Sequence, residues 1–417
     1  MHDIIQRHRE ERDHLLSGVY IPRDGLDQAR RFLSTDLIKV ISGPRRAGKS
    51  VFALSMLRGK NFAYVNFDDE ALMGALRLGN YDRLIEVFGD IYPGYTHILL
   101  DEVQNLDHWE QFLNKLQRRG HNLIVTGSNA KLLRGEWATS LTGRTYEIDV
   151  FPFSYAEYRR ARPAGSVREY LRLGGYPEIV VKHIDKQSYI DSLVHSILIK
   201  DIAMRHNVNR PQILSAVNKY LLTQFGHEIT YTSLARIFRP LSVNTMLKYV
   251  TYLTEPYLYF LLDRYHVKPK LRIISPKKLY LYDTALASMG FSADVGSLLE
   301  NACCLQLIRR GLQPNAELFS YKTVNGKEVD FVWKNGMTVE QVIQVCADIT
   351  NPKTLRREVS ALYTAGRELR AKETVLITLD PSSVSARDLG ITHLWDAEMW
   401  FDLTAAKPPP RRVGHDD

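Results

Sequence analysis

Short, mainly apolar runs alternate with amphipathic stretches over the first third of the chain. Leu37 to Ile41, Phe62 to Phe67, His97 to Leu100 and Leu123 to Thr126 are such runs, long enough for strands and too short for helices. Runs without alternation suit parallel strands covered on both faces. The helical stretches between them predict four βα-like units in one parallel sheet with helices on both sides. Tyr146 to Phe151 adds a further strand. "MHDIIQRHREERDHLL" reads as an amphipathic helix. Pro152 to Ile184 is helical and turn-like, with a loop at Gly174 to Pro177, and Gln187 to Arg205 reads as a helix. The first domain is expected to close near residue 205, at "MRHNVNRP".

The pattern then changes. Gln212 to Phe225, "EITYTSLARIF" and "SVNTMLKYVTYLTE" predict three helices, the last opened by Ser242 as N-cap. "YLYFLLDRY" and "LRIISPKKLYLYD" predict two strands joined by the basic turn "HVKPK". Three helices and a β-wing make a winged helix over residues 206–290. Further on, "LLENACCLQLIRRG" predicts an amphipathic helix. "LFSYKTVNGKEVDFVW" predicts a hairpin turning at Asn325-Gly326, and "EQVIQVCADI" a third strand. The tail "AAKPPPRRVGHDD" is rich in proline and charge and is expected to be disordered.

One stretch carries chemistry of its own. "VISGPRRAGKS" matches the phosphate-loop template: Gly43, four residues, Gly48, Lys49, Ser50. Glycines let the backbone curl so that successive N–H groups face phosphate oxygens, and the helix that follows aims its positive end there. Gly43, Pro44, Arg45, Arg46, Ala47, Gly48, Lys49, Ser50 and Val51 are the candidate ATP contacts, with Lys49 on the terminal phosphates and Ser50 on Mg²⁺. "HILLDEVQNL" supplies the carboxylates at a strand end. Asp101 would serve the Mg²⁺ shell and Glu102 would polarise the attacking water. At the tip of the next strand, in "TGSNA", Ser128 is the favoured residue to touch the γ-phosphate or the lytic water, with Asn129 and Thr126 as alternatives. Arg144 stands just before a strand, where it could serve as an arginine finger on a neighbouring subunit.

Composition bounds the rest. At 417 residues, 45% apolar and 24% charged, the chain is an ordinary globular one of about three domains. No apolar run approaches the ~18 residues of a membrane span. No secretory signal is visible, and three cysteines give neither a disulfide framework nor zinc spacing, so a cytoplasmic, reduced protein is expected. The net charge of +8 points toward polyanions. Asn244, Thr245 and Lys248 are groove or backbone candidates on the winged helix. Arg236, Arg239, Lys268, Lys270, Arg272, Lys277 and Lys278 are candidate DNA phosphate contacts.

Taken in order, "GPRRAGKS", "VNFDDE", "LLDEVQNLDHWEQFL", "VTGSNAKLL", "LTGRTYEIDVFPFSYAEY" and "LGGYPEIV" resemble a large prokaryotic AAA+-like ATPase family. The resemblance covers about Ile4 to Leu403. It implies a P-loop ATPase core with a sensor at the "TGS" strand end, a winged-helix region, and a C-terminal fold similar to PD-(D/E)xK nucleases. Such a nuclease places an acid on a helix, an Asp near the second strand and Glu-x-Lys on the third. Here Glu300 and Asp330 keep the first two positions, while Gln344 and Cys346 stand at the last two. Lys322 or Lys353 could stand in for the lysine. The expected fold is therefore α/β: a P-loop AAA+-like parallel-sheet ATPase domain (1–205), a winged-helix domain (206–290), and a restriction-endonuclease-like domain (291–404) without efficient cleavage, then the tail (405–417). The expected function is a Mg²⁺-dependent ATPase that binds DNA through its C-terminal half and translocates on or remodels it, branched DNA included. The active form would be a homo-oligomer, a hexameric ring by AAA+ analogy. The alternative is a signalling or protein-remodelling switch with protein partners. An active nuclease is the least favoured reading.

Overall fold

A computed structural model describes residues 1–76, 81–129, 143–289, 294–381 and 384–404. The expected disordered tail, with Arg411 and Arg412, lies outside the described residues. Two compact units emerge. The first holds Met1–Pro152 and Glu255–Tyr257; the second holds Phe153–Thr254 and Leu258 onward.

In the first unit, β1 (Ile38–Ser42), β2 (Phe62–Asn66), β3 (His97–Asp101), β4 (Asn122–Gly127) and β5 (Thr145–Asp149) form one sheet in the order β2-β3-β4-β1-β5. All four pairings are parallel, as the apolar runs predict. The central strands are buried because helices cover both faces. One layer gathers Phe88, Phe112 and Leu116 with Val65 and Leu100; the other gathers Phe52, Leu54 and Met56 with Tyr64 and Leu99. The N-terminal helix His2–Ser17 joins the core through Ile5 and His8. Its Arg12 donates to the Phe62 carbonyl at 2.7 Å.

In the second unit, β6 (Glu228–Ile229), β7 (Tyr259–Asp263) and β8 (Lys277–Leu281) make an antiparallel sheet in the order β6-β8-β7. Helices Pro211–Leu222, Tyr231–Ile237 and Val243–Thr254 accompany it, and the Ser242 hydroxyl accepts from the Thr245 N–H at 3.1 Å, as the cap reading requires. The segment "LRIIS" is a correction: Pro269–Ile274 is helical, and the strand begins only at Lys277. Pro269 presets the first helical turn. Arg272 then donates to the His266 carbonyl at 2.7 Å and lies over the Tyr265 and Phe319 rings, which fixes the turn. A second sheet runs β13-β12-β11-β10-β9, from β9 (Leu318–Lys322), β10 (Glu328–Asn335), β11 (Thr338–Val345), β12 (Glu373–Thr378) and β13 (His393–Asp396). Its β9–β10–β11 part is antiparallel; β11, β12 and β13 are parallel.

The compact division at Pro152 precedes the boundary that the element pattern suggests near residue 205. The cause is the "GGYP" loop. The Asp283 carboxylate accepts from the Gly175 N–H at 2.9 Å, and a Cβ on Gly174, whose φ is +82°, would meet that carboxylate at 2.2 Å. Residues 153–205 thus pack with the elements that follow them. The predicted helix Gln187 to Arg205 is α-helical over Lys186–Ser196 and widens into π-helical turns over Ile197–Met204.

Candidate active site

The site lies at the carboxyl ends of β1, β3 and β4. Strand order puts β4 between the strand that enters the phosphate loop and the strand that ends in Asp101. Gly43 has φ +148°, and a Cβ there would stand 2.0 Å from the Val150 carbonyl oxygen, so only glycine lets the loop pass. Gly48 (φ +91°) opens the helix Lys49–Met56. Arg23 braces the loop from outside: its guanidinium donates to the Ala47 carbonyl at 2.9 Å and to the Phe151 carbonyl at 2.5 Å.

The charged side chains converge there. Lys49 is buried; its ammonium donates to the Pro44 carbonyl at 3.0 Å and stands 3.5 Å from Glu102 Oε1. The Ser50 hydroxyl donates to Asp101 Oδ1 at 3.0 Å. Asp101 also accepts from the Thr126 hydroxyl in a short bond and from the Tyr64 hydroxyl at 3.3 Å. Burial, then the charge of Glu102, pushes the Asp101 carboxyl up to about 6. Burial also acts against the charged form of Glu102, but Lys49 and hydrogen bonds from Gln104 and Ser128 outweigh it and hold that carboxyl below its ordinary value. Its oxygen Oε2 accepts from Gln104 Nε2 at 2.5 Å and from Ser128 Oγ at 2.9 Å. The Glu102 N–H donates to Thr126 Oγ1 at 3.0 Å, with the Glu102 backbone left-handed at φ +52°.

The structure therefore brings together Lys49, Ser50, Asp101, Glu102, Thr126 and Ser128. Of the three residues weighed at the β4 tip, Thr126 bonds to Asp101 and Ser128 to Glu102, and Asn129 is buried next to Ser128 in sequence. Gln104 and Tyr64 escape motif reasoning. Gln104 follows Glu102 by two residues, and Tyr64 sits mid-strand on β2 beside β3, so sheet adjacency was the available signal. Arg144 is exposed at the opposite end of the sheet, where its carbonyl accepts from the Ile38 N–H at 2.8 Å.

Residues 35–159 match the AAA domain, and residues 164–294 match a domain of unknown function (DUF8612). An uncharacterized protein of Methanocaldococcus jannaschii is 30% identical over 358 residues, covering 80% of this chain and 79% of that protein. The chain belongs to this family of AAA-domain proteins. An uncharacterized protein of Haemophilus influenzae is 28% identical over 343 residues, 76% of this chain and 84% of its own. A Walker-type ATPase of Pyrococcus abyssi aligns with a TM-score of 0.45 at 13% identity, covering 65% of this chain and 95% of that one. The AAA domain and the carboxylates at its strand ends make the first unit an AAA+-like P-loop ATPase fold.

Beyond the AAA domain, the basic candidates divide. Arg236, Arg239, Lys248, Lys268 and Lys270 are exposed. Arg272 is committed to Tyr265 and Phe319, and Lys277 to Asp263 in a short ion pair. Lys278 is a correction: it is 6% exposed and faces Glu300 and Asp330 at 2.7 and 3.0 Å, so it is no surface phosphate contact. Glu300 sits on the helix Val295–Arg309, Asp330 on β10 and Gln344 on β11; Cys346 follows β11 in an apolar cluster with Val342, Ile349 and Leu376. Lys322 pairs at 3.5 Å with Glu328, away from these carboxylates, and Lys353 is exposed.

Proposed function

We propose that this chain is a Mg²⁺-dependent ATPase that binds DNA through its second unit and couples turnover to translocation on DNA or its remodelling, branched DNA included. The observation that carries the ATPase part is the constellation of Lys49, Ser50, Asp101 and Glu102 around the hydroxyls of Thr126 and Ser128. ATP would lie along Gly43 to Ser50, with Lys49 on its terminal phosphates. A hydroxyl 3.0 Å from a carboxylate is an oxygen donor set that fits Mg²⁺, so Ser50 and Asp101 would hold the ion. Bound there, Mg²⁺ neutralises charge on the β- and γ-phosphate oxygens. Glu102 orients the attacking water and takes up its proton. Gln104 and Ser128 position Glu102. Arg144, at the far end of its own sheet, would serve a neighbouring subunit's nucleotide, which makes a ring of copies the working form.

The DNA part is supported by exposed Arg236, Arg239, Lys248, Lys268 and Lys270 between residues 231 and 270. Read as a winged helix, residues 206–290 would offer the helix Val243–Thr254 to a groove and the β7–β8 hairpin to the backbone. Residues 291–404 would be a nuclease-like fold without cleavage. The test is steady-state hydrolysis with no DNA and with single-stranded, duplex and branched DNA at two salt concentrations. Lys49→Ala should abolish turnover, and Glu102→Gln should keep ATP bound while slowing turnover by roughly 10²- to 10⁴-fold. Stimulation by one DNA form, fading with salt, is expected; indifference to every DNA would remove the DNA part and leave the ATPase.

A second reading has its own observation. Val267 and Ile273 are 78% and 75% exposed beside those lysines, and such aliphatic exposure favours a protein partner. A partner protein that stimulates turnover where DNA does not would select the remodelling-switch reading.

A further inference from the structure

The second unit holds a buried charge cluster in which Lys278 joins the two acids of the nuclease-like motif. Lys278 reaches from β8 to Glu300 Oε1 at 2.7 Å, on the helix Val295–Arg309, and to Asp330 Oδ1 at 3.0 Å, on β10. The Tyr280 hydroxyl donates to Glu300 Oε1 at 2.5 Å, and Asp330 Oδ2 accepts from the Val345 N–H at 2.9 Å. Gln344 stands opposite Asp330, one step along the ladder from the Phe331–Ile343 pair. Its amide nitrogen donates to Glu358 Oε2 at 2.8 Å, and its carbonyl oxygen is buried with no hydrogen-bond partner among the described residues. Two carboxylates removed from water stay ionised together only with a cation between them. In a nuclease of the PD-(D/E)xK type that cation is a divalent metal. The residues present do not fit one, because an ammonium already stands between the acids and the third acid is a neutral amide.

We propose that the Lys278 ammonium takes the place of a divalent cation between Glu300 and Asp330, so that the native pair takes up no metal and removal of the ammonium turns it into a metal site. The contact distances agree. Ammonium-to-oxygen separations of 2.7 and 3.0 Å exceed by under 1 Å the ~2.1 Å that Mg²⁺ keeps to its oxygens. A small inward movement of each acid would therefore close on a metal. The Gln344 carbonyl, on the same face of the ladder as Asp330, supplies a third oxygen. Lys278 also ties the three-stranded sheet to the helix and to the five-stranded sheet, a task that an exchangeable ion performs only while bound.

The test uses the full chain free of nucleotide, with Mn²⁺ uptake followed by electron paramagnetic resonance and unfolding followed by heat. In metal-free buffer, Lys278→Ala should unfold roughly 10 °C below the parent. Millimolar Mn²⁺ should restore much of that loss and bind at one site more per chain than in the parent. The double variant Lys278→Ala/Asp330→Asn should lose both effects. The parent and Asp330→Asn should take up Mn²⁺ equally. Mn²⁺ uptake by the parent that Asp330→Asn removes would overturn the proposal, as would a folded Lys278→Ala that gains neither Mn²⁺ nor stability. If Lys278→Ala is unfolded without metal, refolding by Mn²⁺ supports the proposal, and failure to refold counts against it.

Discussion

Asp101 is the residue with the clearest consequence for stability. Its carboxyl titrates near 6 in the fold against an ordinary value of 3.8. The protonated form is therefore favoured by folding. Its stabilising contribution is complete below about pH 4 and is lost as pH rises through 6. Asp101→Asn removes that dependence. In nucleotide-free protein, its melting temperature relative to the parent should rise by several degrees between pH 4 and pH 7.5; a difference flat with pH would refute the assignment. Gln104→Ala removes one charge-assisted hydrogen bond, worth about 1.5–3 kcal/mol, from Glu102, the residue proposed to orient water. kcat should fall roughly 10- to 100-fold while ATP affinity holds. Unchanged kcat would show that Ser128 alone positions Glu102. Lys49, Ser50, Asp101 and Glu102 were legible in the sequence because a phosphate loop and a strand-end acid pair are local patterns. Gln104 and Tyr64 were not: Tyr64 meets Asp101 because β2 lies beside β3, and Gln104 turns back onto Glu102 in the short helical turn that follows β3, which no motif marks. Lys278 was misread from charge alone, although strand alternation sets it on the face of the buried Tyr280.

At the scale of elements, the phosphate loop tolerates little. Gly43→Ala would drive a methyl group into the Val150 carbonyl and demand a left-handed backbone of a residue with a Cβ. A loss of roughly 2–4 kcal/mol, with ATP binding lost as well, is expected from calorimetry and nucleotide titration. Four of the five parallel strands of the first unit were legible because their runs are mainly apolar; the fifth, β5, is largely half-buried and carries Glu147 and Asp149. "LRIIS" was misread. Its aliphatic run has strand composition, yet Arg272 stacking on Tyr265 and Phe319 holds a helical turn and leaves Ile273 and Ile274 exposed. Contacts made by the polar residue decided an element that the apolar residues seemed to define.

For the whole molecule, Arg144 gives the sharpest expectation. Its own nucleotide site is at the other end of the sheet, so Arg144→Ala subunits mixed into the parent should depress turnover more than in proportion to their share; strictly proportional loss would argue against action on a neighbour. The order of strands in the first unit was legible in the sequence, but the helix Pro352–Leu369, strands β12 and β13 and the compact division were not. Asp283 and the two glycines it meets lie more than a hundred positions apart, and no local pattern announces that contact.

The phosphate loop and the chain leaving the sheet behave as a latch. Gly43 presses against Val150 with no room to spare, and the Arg23 guanidinium holds Ala47 and Phe151 at once. A ligand that draws the loop inward must pull on both fastenings. They sit at the last residues before the chain passes into the second unit at Phe153. One arginine thus fastens both the nucleotide loop, at Ala47, and the last residues of the first unit, at Phe151.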